Sequence, residues 1–159
     1  MNKAFESLCA SFARLPGMGR KSAERAALHL AFADRKQAEI LIENLRRALD
    51  VLTPCPKCCG ISENNALCEI CSDSSRNLSS VCLVETAADM AAIEKSGAWR
   101  GSYHVLGGKI SPIKNITPND LNFKFLEERA QRGEISEIVL ALSNDMEGEA
   151  TCHYISKAI

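Results

Sequence analysis

The chain has 159 residues, 46% of them hydrophobic and 25% charged, with a formal net charge of −1. That apolar content supports one or two domains with a real core, and no apolar run approaches the ~20 residues a membrane-spanning helix needs. The N-terminus lacks the apolar core of a secretion signal, so the expected location is the reducing cytoplasm, where disulfides are a poor default for the eight cysteines.

The near-neutral total hides an asymmetry. Residues 1–50 carry nine Lys/Arg against six Asp/Glu, and residues 51–159 carry ten against fourteen. A polyanionic partner is therefore expected at the N-terminal third. That third reads as helical: Phe5, Leu8, Cys9 and Phe12 recur at helical spacing, as do Ala23, Ala26, Ala27 and Leu30, and then Ile42, Leu45 and Leu49. Leu15-Pro16-Gly17-Met18-Gly19 separates the first two helices, and Thr53-Pro54 ends the third.

The hairpin between the first two helices is the informative stretch. Its glycines permit positive φ and close approach of another backbone. The N–H groups from Gly17 to Lys21 stand at a helix N-terminus, an anion-binding position. Arg20, Lys21 and Arg25 flank that point, with Lys21 and Arg25 one turn apart on one face. Gly17, Gly19, Arg20, Lys21 and Arg25 are thus the candidate site for sequence-independent contact with nucleic-acid phosphate. The plain alternative is an ordinary helix–turn–helix corner with solvated charges.

Five cysteines then fall between Cys55 and Cys71. Cys55-x-x-Cys58 and Cys68-x-x-Cys71 form two knuckles, each able to aim two thiolates at one point, and two knuckles complete a tetrahedron around zinc. Gly60 and Asn64-Asn65 suit a tight ribbon turn between them. Cys59 breaks the two-residue gap and is left outside the set. Four thiolates leave no position for water, so the expected cofactor is a structural Zn2+.

Past Ser79, short apolar runs alternate with helix-like stretches. VCLVE (81–85) precedes AADMAAIEKS, YHVLGG (103–108) precedes a segment opening at Thr117-Pro118, and EIVLAL (137–142) precedes a last segment at 147–158. Three β runs separated by helical stretches predict a parallel α/β sheet. The chain is therefore expected to be α+β in several segments: a helical region at 1–53, a cysteine segment at 54–78, and an α/β region with a mostly parallel sheet at 79–159. His29, His104 and His153 have no paired ligand near them in sequence and read as packed or solvated side chains. Trp99 and Tyr103 are too isolated to form a set of base-stacking platforms.

LPGMGRKSAERAALHL (15–30), CPKC (55–58), CEIC (68–71), VCLVE (81–85), YHVLGGKISP (103–112) and EGEAT (147–151) together resemble the bacterial RecR family of recombination mediators, over nearly the whole chain. The resemblance implies a helix-hairpin-helix DNA-binding region, a four-cysteine zinc finger and a Toprim domain in those three segments. It implies a role in recombinational DNA repair and no enzymatic activity. Members of the family form clamp-like rings, as dimers or tetramers, on single- or double-stranded DNA. With RecO and RecF they help load recombinase at single-strand gaps, in the cytoplasm and at the nucleoid. Gly17, Gly19, Lys21 and Arg25 match the hairpin positions of the family, and Cys55, Cys58, Cys68 and Cys71 match its zinc positions. Glu85, Asp89, Glu147 and Glu149 match acidic Toprim positions, whose charge suits a basic partner such as RecO.

The chain also departs from the family. Ser143-Asn144-Asp145-Met146 stands where relatives commonly read Asn-Pro-x-Val, so Asp145-x-Glu147 recreates a pair of acids at metal-binding spacing. The alternative function is therefore a Mg2+-dependent Toprim nuclease or primase fragment using Glu85, Asp145 and Glu147. Asn115 and Thr117 replace usual glycines; Asn tolerates the left-handed region and Thr resists it, so that loop is expected to differ in shape. Relatives also continue past the position of Ile159, so the sheet is expected to lack its late strands, leaving an exposed edge and placing family-type assembly in question.

Overall fold

The structure is a computed structural model and describes residues 2–159. They form two compact units, one ending at Val51 and one running from Leu52 to Ile159.

In the first unit, α1 spans Lys3–Ala13 and opens on Asn2, whose side chain accepts the Ala4 N–H at 2.9 Å. α2 spans Arg20–Leu28 and packs on α1, with Ala23 and Ala27 fully buried at a spacing of four. It runs on into a single π turn at His29–Ala33, for which the apolar spacing gives no cue. α3 spans Arg35–Val51, and Asp34 accepts the Gln37 N–H at its start. The stripe expected at Ile42, Leu45 and Leu49 is formed, but these side chains are 51%, 58% and 77% exposed. Helical spacing correctly gave the element; burial needs a second surface, and none of the described residues covers this face.

The second unit opens with β1 (Leu52–Pro54), antiparallel to β2 (Ile61–Glu63). The turn residues differ from expectation in one place. Asn64 and Asn65 do take positive φ, 52° and 57°, but on the knuckle side it is Cys59 at φ 59°, not Gly60, that turns left-handed. After the short α4 (Glu69–Ser72) comes a three-stranded sheet. β3 (Asn77–Val84) lies centrally between β4 (Gly101–Val105) and β5 (Glu137–Ala141), and both pairings are parallel, as the sequence predicts. α5 (Ala87–Ser96) connects β3 to β4; α6 (Phe123–Gln131) lies between β4 and β5; α7 (Met146–Ala158) follows β5. Asn115 is left-handed at φ 55°, whereas Thr117 avoids that region at φ −102° and instead closes a capping box with Asp120.

Alternation along β3 sends neighbouring side chains to two cores. Leu83 joins Leu106, Phe123, Leu126 and Ile155 on one side, and Cys82 and Val84 join Met90, Tyr103 and Val105 on the other. The strand order β4-β3-β5 means that the chain leaves β3 to one side and later returns to the other. The carboxyl ends at such a reversal form a crevice, the usual ligand position of open α/β sheets. Trp99 and Tyr103 serve the frame: Trp99 Nε1 donates to the Ser102 carbonyl at 2.8 Å and Tyr103 Oη to Glu94 at 2.9 Å.

Two outcomes follow. A Cβ on Gly148 would lie 1.9 Å from the Ser143 carbonyl oxygen, so Gly148→Ala must push α7 off the end of β5. Urea denaturation is expected to show a loss of about 3 kcal/mol, the upper range for single substitutions. His104 is fully buried, its Nε2 2.9 Å from the Asn122 carbonyl, and burial lowers its pKa to about 4. An unfolded histidine titrates near ~6.5. As the pH drops below that value, the unfolded chain takes up a proton that the folded chain refuses. Stability present above pH ~6.5 is therefore lost as the pH falls toward about 4, by up to roughly 3 kcal/mol. Denaturation across that window is expected to be less pH-dependent in His104→Gln than in the parent.

Candidate functional site

Three groups of predicted site residues are placed by the structure. At the hairpin, Gly17 has φ 76°, a conformation side-chain-bearing residues resist, so the turn requires it. Gly19 differs: it is the N-cap of α2 at φ −75°, and a Cβ there would meet nothing within 4 Å. The packing of the chain itself does not demand glycine at this point. No side chain caps α2, and the N–H groups of Arg20, Lys21 and Ser22 have no acceptor among the described residues. Arg20, Lys21 and Arg25 are all exposed. Bare N–H groups, an open backbone, Arg20 and Lys21 thus share the start of α2, with Arg25 in its last turn.

The second group is the cysteines. The sulfurs of Cys55, Cys58, Cys68 and Cys71, all buried, lie within 4.8 Å of one another, with Cys58 and Cys68 at 3.6 Å. Zn–S bonds of ~2.3 Å set tetrahedral sulfurs ~3.8 Å apart, so this donor set fits a structural zinc ion. The first knuckle joins β1 to β2, residues 64–67 fold back along the ribbon to bring the second beside it, and backbone N–H groups support the sulfurs: Gly60 donates to Cys58 at 3.4 Å and Cys68 to Cys55 at 3.5 Å. The thiols share protons unequally. The hydrogen bonds with Cys58 and Cys71 hold the Cys68 thiol below its usual range, while the bond to Cys68 drives the Cys58 thiol up. Cys59 is outside the four, and burial pushes it up to about 11.

The third group sits at the carboxyl ends of the strands. Glu85, just past β3, accepts the N–H of Ser143 at 2.6 Å and its hydroxyl at 2.5 Å. Asp145 caps α7 through the Gly148 N–H at 2.8 Å, and Glu147 accepts the Ser111 hydroxyl. Lys109 reaches into this group: its ammonium pairs with Asp145 and lies 3.8 Å from Glu85 Oε2. The hydrogen bond between Lys109 and Asp145 lowers the carboxyl pKa and raises that of the amine. Glu149 is exposed on the first turn of α7. Asp89 is committed locally, closing a capping box with Thr86 at the start of α5. Lys109, Ser111 and Ser143 escaped the sequence reading, although the parallel strand pattern marks the loops that carry them as the place to look.

A small basic helical hairpin, a four-cysteine cluster and a parallel sheet with acids at its carboxyl ends define a helix-hairpin-helix protein with a Toprim-type domain. A family model described as "RecR, helix-hairpin-helix" matches residues 5–49, and one described as "Toprim domain" matches residues 79–159. Proteins named recombination protein RecR align along almost the entire chain. That of Saccharophagus degradans is 45% identical over 96% of this chain and 77% of its own length. Those of Flavobacterium psychrophilum (42%, covering 99% and 76%) and Methylocella silvestris (45%, covering 97% and 76%) are similar to the same degree. The chain belongs to the RecR family of recombination proteins. Among the described residues, no helix is long and apolar enough to cross a membrane.

Cobalt loading tests the cysteine geometry. One Co2+ per chain with the visible bands of tetrahedral thiolate coordination is expected. Cys59→Ser is expected to keep those bands and Cys68→Ser to lose them together with most of the thermal stability.

Proposed function

We propose that this chain is a non-catalytic DNA-binding mediator of recombinational repair, contacting phosphate through Gly17, Gly19, Arg20, Lys21 and Arg25. The observation that carries this reading is the uncapped start of α2, where unpaired N–H groups meet exposed Arg20 and Lys21, with exposed Arg25 further along the same helix. The glycine at position 19, unneeded by the packing of the chain, leaves room for a phosphate to approach the backbone. Such contact is blind to base sequence and strongly salt-dependent.

In this reading Zn2+ is held by Cys55, Cys58, Cys68 and Cys71 and supplies rigidity, not chemistry. The acids at the sheet, Glu85, Glu147 and Glu149 with Asp89 nearby, form a docking face for a basic partner protein of the RecO or RecF type. Lys109 argues against a Mg2+ site there, because it already brings positive charge between Glu85 and Asp145. One hairpin makes few phosphate contacts, so a clamp-like ring of several chains is the form in which weak contacts would hold DNA.

The test is a salt titration of DNA binding by the zinc-loaded chain. Log affinity is expected to fall linearly with log salt. Lys21→Ala/Arg25→Ala is expected to lower affinity and flatten the slope by about 1.4–1.8, at ~0.7–0.9 for each of two lost phosphate contacts. Equal binding by parent and variant would remove the hairpin as the DNA site. Glu147→Lys is expected to abolish binding of the basic partner and leave DNA binding unchanged.

A further inference from the structure

The second unit contains a cavity of about 330 Å3 whose lining includes Lys57, Leu67, Phe125, Arg129, Arg132 and Glu134. Phe125, Arg129 and Arg132 follow one another at i, i+4 and i+7 on α6 and its C-cap. One helix face therefore supplies a ring and two guanidinium groups, and Lys57 of the first cysteine knuckle adds an ammonium. None of these residues belongs to the sites described above.

Arg129 is the informative member. It is 2% exposed, and its Nη1 makes only long contacts, 3.5 Å, with the carbonyl oxygens of Lys57 and Tyr103. Nε and Nη2 have no hydrogen-bond partner among the described residues. These two nitrogens form the side-on edge of the guanidinium, the edge that grips an oxyanion with two parallel bonds. A buried donor pair left unfilled is costly, so the arrangement is suited to an acceptor that arrives from outside. One acid is nearby: Glu134 stands 3.8 Å from Arg129 Nε and 3.2 Å from Arg132 Nε. A single carboxylate is thus divided between two guanidinium groups. The cavity holds three cations against one acid, within a stretch, residues 51–159, where acids outnumber bases fourteen to ten.

We infer that this cavity is a phosphate subsite for single-stranded nucleic acid. Arg129 and Arg132 hold one phosphate group, which displaces the Glu134 carboxylate, and Phe125, 48% exposed, offers its face to an adjoining base. A second carboxylate, from an acidic peptide, would only repeat what Glu134 supplies; a phosphate brings more oxygens to more donors. The phosphate chemistry stands on the cavity alone, whereas the choice of nucleic acid rests on the DNA-binding reading given above.

The experiment uses the full zinc-loaded chain carrying Lys21→Ala/Arg25→Ala, so that the hairpin contributes least. Oligothymidylate binding is followed by fluorescence anisotropy, with inorganic phosphate, thymidine monophosphate and an acidic peptide as competitors. Lys57→Ala/Arg132→Ala removes the cavity's more accessible cations without touching buried Arg129, and zinc content and melting temperature report its fold. Residual oligothymidylate binding is expected, weakened about tenfold by Lys57→Ala/Arg132→Ala and strengthened severalfold by Glu134→Gln. Competition by inorganic phosphate, and more strongly by the nucleotide, is expected, and Phe125→Ala should erase the nucleotide's advantage over phosphate. A folded Lys57→Ala/Arg132→Ala variant that binds as its parent does overturns the inference, as does displacement by the peptide alone. If the hairpin-intact chain shows no hairpin-dependent binding while the cavity variants behave as expected, the hairpin reading fails and the subsite stands. The opposite pattern removes the subsite and keeps the hairpin.

Discussion

The Cys58 carbonyl accepts the Val105 N–H at 2.8 Å, and this bond joins the cysteine cluster to the sheet. Val105 ends β4 and the Cys58 sulfur is one of the four that converge, so the position of the first knuckle is tied to the end of an edge strand whose residues are all buried. Neighbouring contacts act in the same sense: Arg129 reaches the Lys57 carbonyl from α6, and Met90 of α5 lies against Gly60. A cluster fastened to three elements of the α/β part cannot swing as a free finger. An ion closing the sulfurs would therefore stiffen the sheet as well as the ribbon formed by β1 and β2.

Charge is distributed with similar economy. Cations without partners gather at the start of α2, where backbone N–H groups add to their field. In the second unit two of the cations are each matched to two acids of the chain: Arg76 with Asp73 and Glu94, Lys109 with Asp145 and Glu85. The cavity under α6 breaks that pattern, since Arg129 is buried and incompletely satisfied. The charge at the hairpin is exposed, whereas the charge in the cavity is hidden. The first suits rapid capture, and the second suits a slower, more specific grip.

Much of this was legible from residue order. Paired Cys-x-x-Cys spacing is set by the reach of a thiolate, so the cluster is visible without any fold. The three parallel strands followed from apolar runs interrupted by helical stretches, because a strand covered on both faces has no polar side to show. The stripe on α3 was legible as a helix face but not as an exposed one, since burial depends on what lies opposite. Cys59 took the left-handed turn in place of Gly60 because the fold of the knuckle, not the residue's preference, decides which position must turn. Lys109 and Arg129 were illegible for a related reason. Each sits in an unremarkable local sequence, and its meaning comes from residues 36 and 72 positions away. Asp145 was read as half of an acidic pair; the structure gives it a lysine and a helix cap instead.

That lysine has an evolutionary consequence. Glu85, Asp145 and Glu147 surround a position whose positive charge comes from one flexible side chain, Lys109, anchored to a loop and not to the sheet. Exchange of this residue for a neutral one would leave three carboxylates without their internal counterion, at the carboxyl ends of the strands, where open α/β sheets bind ligands. One codon therefore separates a face whose acids are balanced by a cation of the chain from one on which they are left unbalanced.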